Sequence, residues 1–257
     1  MDISAVIIGF NEEVKIGGAI RSVDWADEVL VVDSGSTDRT REIASSLGAR
    51  VIEEPWRGFS KQKQFAVDHA ANEWIFSLDA DEQVSDDLRR SILEVRDKGR
   101  DEDADGFRVA RLAFYVGRPV RHSGWYPDWQ LRLFDRRKGR WGDALVHESV
   151  TMGPDARIST LSGDLLHFTV DSVKDHHRLI GERYAPLAAR QMFAAGRRTS
   201  GLRMAVAGPA AFASSFFLKA GILDGLTGFT IACFAAHHAF LKHAILMEIQ
   251  NQTDPDN

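Results

Sequence analysis

A chain of 257 residues, 44% of them apolar, is long enough to bury a sizeable core and to carry one main domain with an appendage. Its net charge of −5 gives no sign of a nucleic-acid partner, and its single cysteine, Cys233, excludes an internal disulfide and fits a reducing compartment. The opening "MDISAVIIGFNEE" has an acid at position 2 and too short an apolar run for a signal peptide.

In chain order, "ISAVIIGF" (3–10) predicts a buried strand, because the short apolar run has no polar face. "NEE" is a turn, residues 14–23 a helix, and "EVLVVD" (28–33) a second buried strand. Ser36 suits a helix N-cap, and Asp38 would favour the positive end of the helix dipole. Ile43, Ala44 and Leu47 form the inward stripe, and Gly48 ends the helix. "ARVIEE" (49–54) is a third strand, "SKQKQFAVDHA" (60–70) a helix, and "EWIFSLDAD" (73–81) a fourth strand. Ser85 caps a further helix with Leu88, Ile92 and Val95 as its stripe and Gly99 as its stop. This alternation, up to about residue 100, predicts an α/β fold with a mostly parallel sheet flanked by helices.

The pattern then changes. Residues 105–117 and 130–135 resemble strands, residues 141–151 a loop and short strand, and residues 173–195 a long helix that Pro186 can kink. From 201 to 249 the chain is apolar but interrupted by Pro209, Lys219, Asp224 and nearby glycines. Its longest clean run, residues 225–241, falls short of the roughly 20 residues of a spanning helix. Two helices lying in or dipping into a membrane face fit this pattern, and a helical hairpin packed on the sheet is the alternative. Eight Lys and Arg against Asp175 and Glu182 over residues 174–219 favour an anionic membrane surface as partner. The expected domains are 1–170, divided at residue 100, and a helical membrane-associated region over 171–250, with a frayed tail over 251–257.

In open α/β sheets ligands bind outside the carboxyl ends of the strands, where this chain places Asn11 and Glu12, Asp33 and Ser34, and Asp79 and Asp81. An acid there accepts hydrogen bonds from a base amide or a ribose hydroxyl. "DSGST" (33–37) is alternatively a turn and helix cap. The two carboxylates of "LDAD" (78–81) would repel each other unless a divalent cation, Mg²⁺ or Mn²⁺, removed the cost, although a lone DxD is more often a solvated acidic loop.

The ordered set "SAVIIGFNEE", "WADEVLVVDSGSTDRT" and "GFSKQKQFAVDHAANEWIFSLDADE" resembles the family 2 glycosyltransferases over about residues 1–95. "WYPDWQLRLFDRRKGRWGDALVHE" and "FFLKAGILDGLTGF" resemble the branch that adds a sugar, often glucose, to the lipopolysaccharide inner core. The resemblance implies a GT-A-like, Rossmann-related fold and an inverting, metal-dependent hexosyltransferase at the cytoplasmic face of the bacterial inner membrane. It implies a UDP-sugar donor and a lipopolysaccharide-core or lipid-linked glycan acceptor. It places Asn11 and Glu12 beside the uridine, Asp33 on the base with Ser34 next to it, Lys61 or Lys63 with Gln64 near the diphosphate, Asp79 on the ribose and Asp81 on the metal.

The Glu-Asp pair that supplies the base in many relatives has no clear copy here. Asp128, between aromatics that can raise its pKa and followed by Gln130 and Arg132, is the first candidate, and Glu148 the second. His147 is a candidate metal or phosphate ligand, although a lone histidine is more often structural. Trp125, Tyr126, Trp129 and Trp141 suit either sugar faces or core, and the arginines around them (Arg118, Arg121, Arg132, Arg136, Arg137, Arg140) suit acceptor phosphates or a solvated face. A polyprenyl-phosphate glycosyltransferase and a non-catalytic nucleotide-sugar or membrane-binding module are the alternatives. A haloacid-type phosphatase is disfavoured, since "IIGFNEE" holds no Asp.

Overall fold

The computed structural model describes residues 1–98, 103–142 and 148–253. Gly99, His147 and the tail beyond residue 253 lie outside them. Strands β1 (Ile3–Gly9), β2 (Glu28–Asp33), β3 (Arg50–Glu53) and β4 (Trp74–Asp79) are parallel and ordered β3-β2-β1-β4. The sheet continues through β8 (Asp128–Asp135), β6 (Gly106–Tyr115) and β11 (Ile158–Val170) to β5 (Glu82–Val84), with antiparallel pairing at β4–β8, β8–β6 and β11–β5.

Alternate residues of the buried strands feed opposite cores. Ile3, Ala5, Ile7, Val31, Phe76 and Leu78 pack with α1 (Ile16–Ser22) and α4 (Asp86–Lys98) on one face. Val6, Ile8, Leu30, Val32 and Ile75 pack with Ala66 and Val67 of α3 (Phe59–His69) on the other. Each such Val, Leu, Ile or Phe side chain contributes about 1.5–3 kcal/mol when fully buried.

Helix α2 (Thr40–Ser46) starts four residues after the expected cap. Ser36 is not an N-cap, because its hydroxyl is held by Asp33; Leu47 follows the helix and stays 38% exposed. A short ribbon of β9 (Gly139–Trp141) and β10 (Val150–Met152) completes the strands of this region, and β7 (Arg118–Pro119) pairs with the end of β6.

The predicted long helix is α5 (Val173–Leu179) and α6 (Ala185–Ala194), joined by a π-helical turn, Ile180–Tyr184. The wide turn lies directly before Pro186, which has no N–H to continue the normal ladder. Helix α7 (Gly201–Ala213) runs through Pro209 into a second π turn, Ser214–Leu218. A 3-10 turn, Gly221–Asp224, leads into α8 (Gly225–Thr253), whose 29 residues extend well past the clean apolar run. By length and composition, Gly201–Leu218 and Gly221–Thr253 are long enough to cross a membrane.

The chain divides into two compact units. The first comprises Met1–Leu112 and Asp128–His167. The second begins with Ala113–Pro127 and resumes at Phe168, so a segment from the strand-rich region belongs with the helices. Its own small core joins Tyr115, Val120, Val170 and Ile231.

Candidate active site

The parallel register sets Asp33 beside Gly9 and Asp79 beside Ile8. Two acids therefore stand at the carboxyl edge on either side of β1, where the chain order of the strands reverses and open sheets leave a crevice. Asp33 is fully buried. Its Oδ1 accepts from the N–H groups of Gly35 (3.0 Å) and Ser36 (2.8 Å), and its Oδ2 from the Ser36 hydroxyl. Gly35, at φ +92°, permits the turn. The Ser36 hydroxyl accepts from the Asn11 N–H (2.8 Å), Asn11 Oδ1 from the Thr37 N–H (2.8 Å) and the Thr40 hydroxyl from the Glu12 N–H (2.8 Å). These bonds stitch the loops after β1 and β2 into one wall. Among the described residues, the buried Ser34 hydroxyl on that wall has no partner.

A chain of alternating charges runs away from Asp79. Lys63 Nζ is 2.8 Å from Asp79 Oδ1 and lies 4.8 Å over the Trp141 ring. Arg132, almost completely buried, lies 3.3 Å from Asp79 and donates to Glu82 at 2.6 Å. Glu82, fully buried, also accepts from the Asp79 N–H (3.0 Å) and lies 3.3 Å from Arg111. Arg111 donates to Asp128 Oδ2 from Nε (2.9 Å) and Nη2 (2.6 Å), and Gln130 donates to Oδ1 at 2.7 Å.

Burying an unpaired ion costs several kcal/mol, so the alternation is what lets these groups sit together. Burial pushes the Asp79 carboxyl up, but the charges of Lys63 and Arg132 outweigh it and hold it well below the usual carboxylate range. Burial acts against the Arg132 charge, and Glu82 and Asp79 more than restore it.

Two expectations need correction. The carboxylate of Asp128 is ion-paired with Arg111, and its neighbour Trp129 turns to Arg108, 5.1 Å from the ring. Arg132 belongs to the buried chain, and Arg136 donates to the carbonyls of Val67 (3.1 Å) and Ala70 (2.8 Å); neither is part of a solvated basic face. Gln64 accepts from the Trp141 N–H at 2.8 Å, so it anchors β9 to α3, while Lys61 is exposed. Trp141 is buried, and Trp125 meets Tyr115 edge-on in the second unit's core. Glu148 is partly buried, two residues before β10.

Asp81 lies in the turn between β4 and β5, with its carboxylate 3.3 Å from His167 Nε2. The antiparallel register explains the meeting, because His167 stands opposite Glu82, the residue after Asp81. His147, the candidate read from the sequence, lies outside the described residues, and His167 was not among the candidates. A lone histidine in the apolar run "LLHFTV" carries no signal until β11 is paired with β5. Among the described residues, no three His, Cys, Asp or Glu side chains converge as a cation site.

The description "Glycosyl transferase family 2" fits residues 4–152, more than half of the chain. A lipopolysaccharide core biosynthesis glycosyltransferase, LpsC of Rhizobium meliloti (strain 1021), is 34% identical over 95% of this chain and 91% of its own length. The chain is a family 2 glycosyltransferase.

An uncharacterized glycosyltransferase of Rickettsia typhi is 30% identical over 96% of this chain and 87% of its own. Among solved structures, glucosyl-3-phosphoglycerate synthase from Mycobacterium tuberculosis with phosphoglyceric acid overlays 78% of this chain and 82% of its own, at 19% identity and a TM-score of 0.47. This family 2 glycosyltransferase has the GT-A-like α/β architecture expected from its sequence. The family match covers β1 to β10 and stops before His167 and helices α5 to α8, whereas the likeness to LpsC spans both units.

Proposed function

We propose that this family 2 glycosyltransferase moves a hexose, glucose in the first instance, from a UDP-sugar to the lipopolysaccharide core with inversion at the anomeric carbon. The carrying observation is the carboxyl-edge arrangement: the stitched wall around Asp33, the paired Asp79, and Asp81 facing His167 at 3.3 Å. In this reading Asn11, Glu12, Asp33 and Ser34 border the uridine, Asp79 lies toward the ribose, and Lys61 and Lys63 bring positive charge toward the diphosphate. Gln64 supports that region through Trp141.

The Asp81 carboxylate suits Mg²⁺ or Mn²⁺ with diphosphate oxygens completing the shell, and the His167 imidazole nitrogen beside it favours Mn²⁺ over the oxygen-preferring Mg²⁺. Such an ion, when bound, neutralises charge on the departing diphosphate. Asp128 takes the proton of the acceptor hydroxyl as that oxygen attacks, while Arg111 and Gln130 fix its two oxygens. Glu148 is the second candidate for that role.

The lipopolysaccharide-core acceptor is supported by the relative LpsC. Residues 1–100 serve the donor and residues 101–170 the acceptor, while residues 171–250 hold the enzyme to the anionic cytoplasmic face of the inner membrane. A panel of radiolabelled UDP-sugars against truncated core oligosaccharides and polyprenyl phosphates tests this. One hexose passing to a core acceptor with inverted configuration is the expected result. Transfer to polyprenyl phosphate alone, or retained configuration, would contradict it.

A further inference from the structure

We infer that the α7–α8 pair lies flat in one leaflet of a lipid bilayer, its exposed apolar face toward the acyl chains, and does not cross. This deepens the membrane reading above and is independent of the donor and acceptor. Leu202 (76% exposed), Val206 (53%) and Phe217 (59%) recur along one side of α7 and its π turn. Leu226 (78%), Phe229 (45%) and Phe240 (45%) do the same on α8. The apolar stripe therefore runs along α7 and its π turn and along α8 as far as Phe240, whereas a helix facing water carries polar residues there. From 201 to 241 the only charged residues are Arg203, Lys219 and Asp224, while Arg197, Arg198 and Lys242 flank the stretch. Basic flanks around an apolar face match the interface of an anionic lipid surface.

Both helical stretches are long enough to span, but the ties of the turn that joins them keep that turn from crossing. Crossing by α7 would carry the turn at 219–224 to the far side. The Asp224 carboxylate accepts from the N–H groups of Arg121 (3.3 Å) and His122 (2.9 Å), and the Ser123 N–H donates to the Lys219 carbonyl (2.9 Å). Ser123 is only five residues before Asp128, the first residue of β8 in the central sheet. Five extended residues reach about 17 Å, against a hydrocarbon core of about 30 Å. A sheet strand with its polar partners cannot follow into lipid. The linker is therefore too short to let the turn cross a bilayer while β8 stays in water. At the other end, the Thr199 N–H donates to Gln250 Oε1 (2.7 Å) and Thr199 Oγ1 meets His243 Nδ1 (2.9 Å), which closes the base of the pair.

The test attaches an environment-sensitive dye to single cysteines at Val206, Phe217, Lys219, Leu226 or Phe240 in the full chain with Cys233→Ser. Vesicles of phosphatidylethanolamine and phosphatidylglycerol are then added from outside. The expected result is a blue shift at Val206, Phe217, Leu226 and Phe240, with stronger quenching by lipids spin-labelled near the headgroup than near the acyl terminus. The dye at Lys219 should stay open to an external impermeant quencher. A Lys219 dye protected until the vesicles are lysed would show a crossing and overturn the inference. So would an absence of vesicle binding, or blue shifts that arise without lipid together with a doubled mass, which would make a second copy the occupant.

Discussion

Arg111 sets Nε and Nη2 on the same carboxylate oxygen of Asp128, at 2.9 and 2.6 Å, and Gln130 holds the other oxygen at 2.7 Å. The carboxylate is aimed by two neighbours on β6 and β8, and in the proposed role as base its reach to an acceptor hydroxyl would depend on both. Asp128→Asn should lower transfer by about 10²-fold or more while UDP-sugar affinity stays unchanged. Arg111→Lys keeps the charge but loses the fork, and should lower kcat by about tenfold with KM for the donor preserved. Single-turnover kinetics and donor titration check both variants. A change confined to donor affinity would contradict the assignment.

Glu82 is the hinge of the charge chain, because it meets Arg132 at 2.6 Å and Arg111 at 3.3 Å inside the protein. Glu82→Gln leaves the buried Arg132 guanidinium with a weaker partner on one side. Breaking a buried pair costs about 3–5 kcal/mol, and the remaining Asp79 contact places the expected loss at about 3 kcal/mol. Denaturant unfolding measures it, and an unchanged midpoint would contradict the role.

Burial pushes the His176 ring down to about 4, with His238 adding to the effect. An unfolded histidine titrates at about 6.5, so the unfolded chain binds more protons between these values. His176 therefore costs the helical unit nothing above about pH 6.5 and removes stability as pH falls toward about 4. His176→Gln can keep a hydrogen bond to the Tyr115 hydroxyl, which His176 Nδ1 meets at 3.2 Å, and removes this titration. Thermal melting from pH 7 to 5 should fall less steeply for the variant than for the native chain. Parallel curves would contradict the assignment.

Gly228 lies so close to the Gly221 carbonyl that an added Cβ would sit 1.8 Å from its oxygen. Gly228→Ala should open the turn between α7 and α8 at a cost of about 1–3 kcal/mol. Faster proteolysis within residues 213–228 and a lower melting temperature are expected. Native resistance would contradict the tight packing.

The parallel strands were legible because a short apolar run with no polar face, such as the "VLVV" of "EVLVVD" or "ISAVIIGF", has few alternatives in a sheet covered on both faces. The acids at their ends followed directly from those boundaries. Strand β5 was not legible, since three residues carry no period, and with it went Glu82 and the partner that makes Arg132 a buried residue. Asp81 and His167 are far apart in sequence and meet only through the β5–β11 register. Ser36 looked like a helix cap because a small hydroxyl after a strand serves equally well in a turn around an aspartate. Residues 113–127 were assigned to the strand region by their pattern, but their contacts place them with the helices.

The proposed function requires a UDP-sugar held at the carboxyl edge beside Asp81 and His167. Calorimetric titration of UDP in the presence and absence of Mn²⁺, on the native chain and on Asp81→Ala and His167→Ala, tests it most directly. Binding strengthened by Mn²⁺ in the native chain, and weakened about 10–100-fold in either variant with loss of the Mn²⁺ effect, is the predicted result. Equal UDP affinity in all three proteins, with or without Mn²⁺, would contradict it.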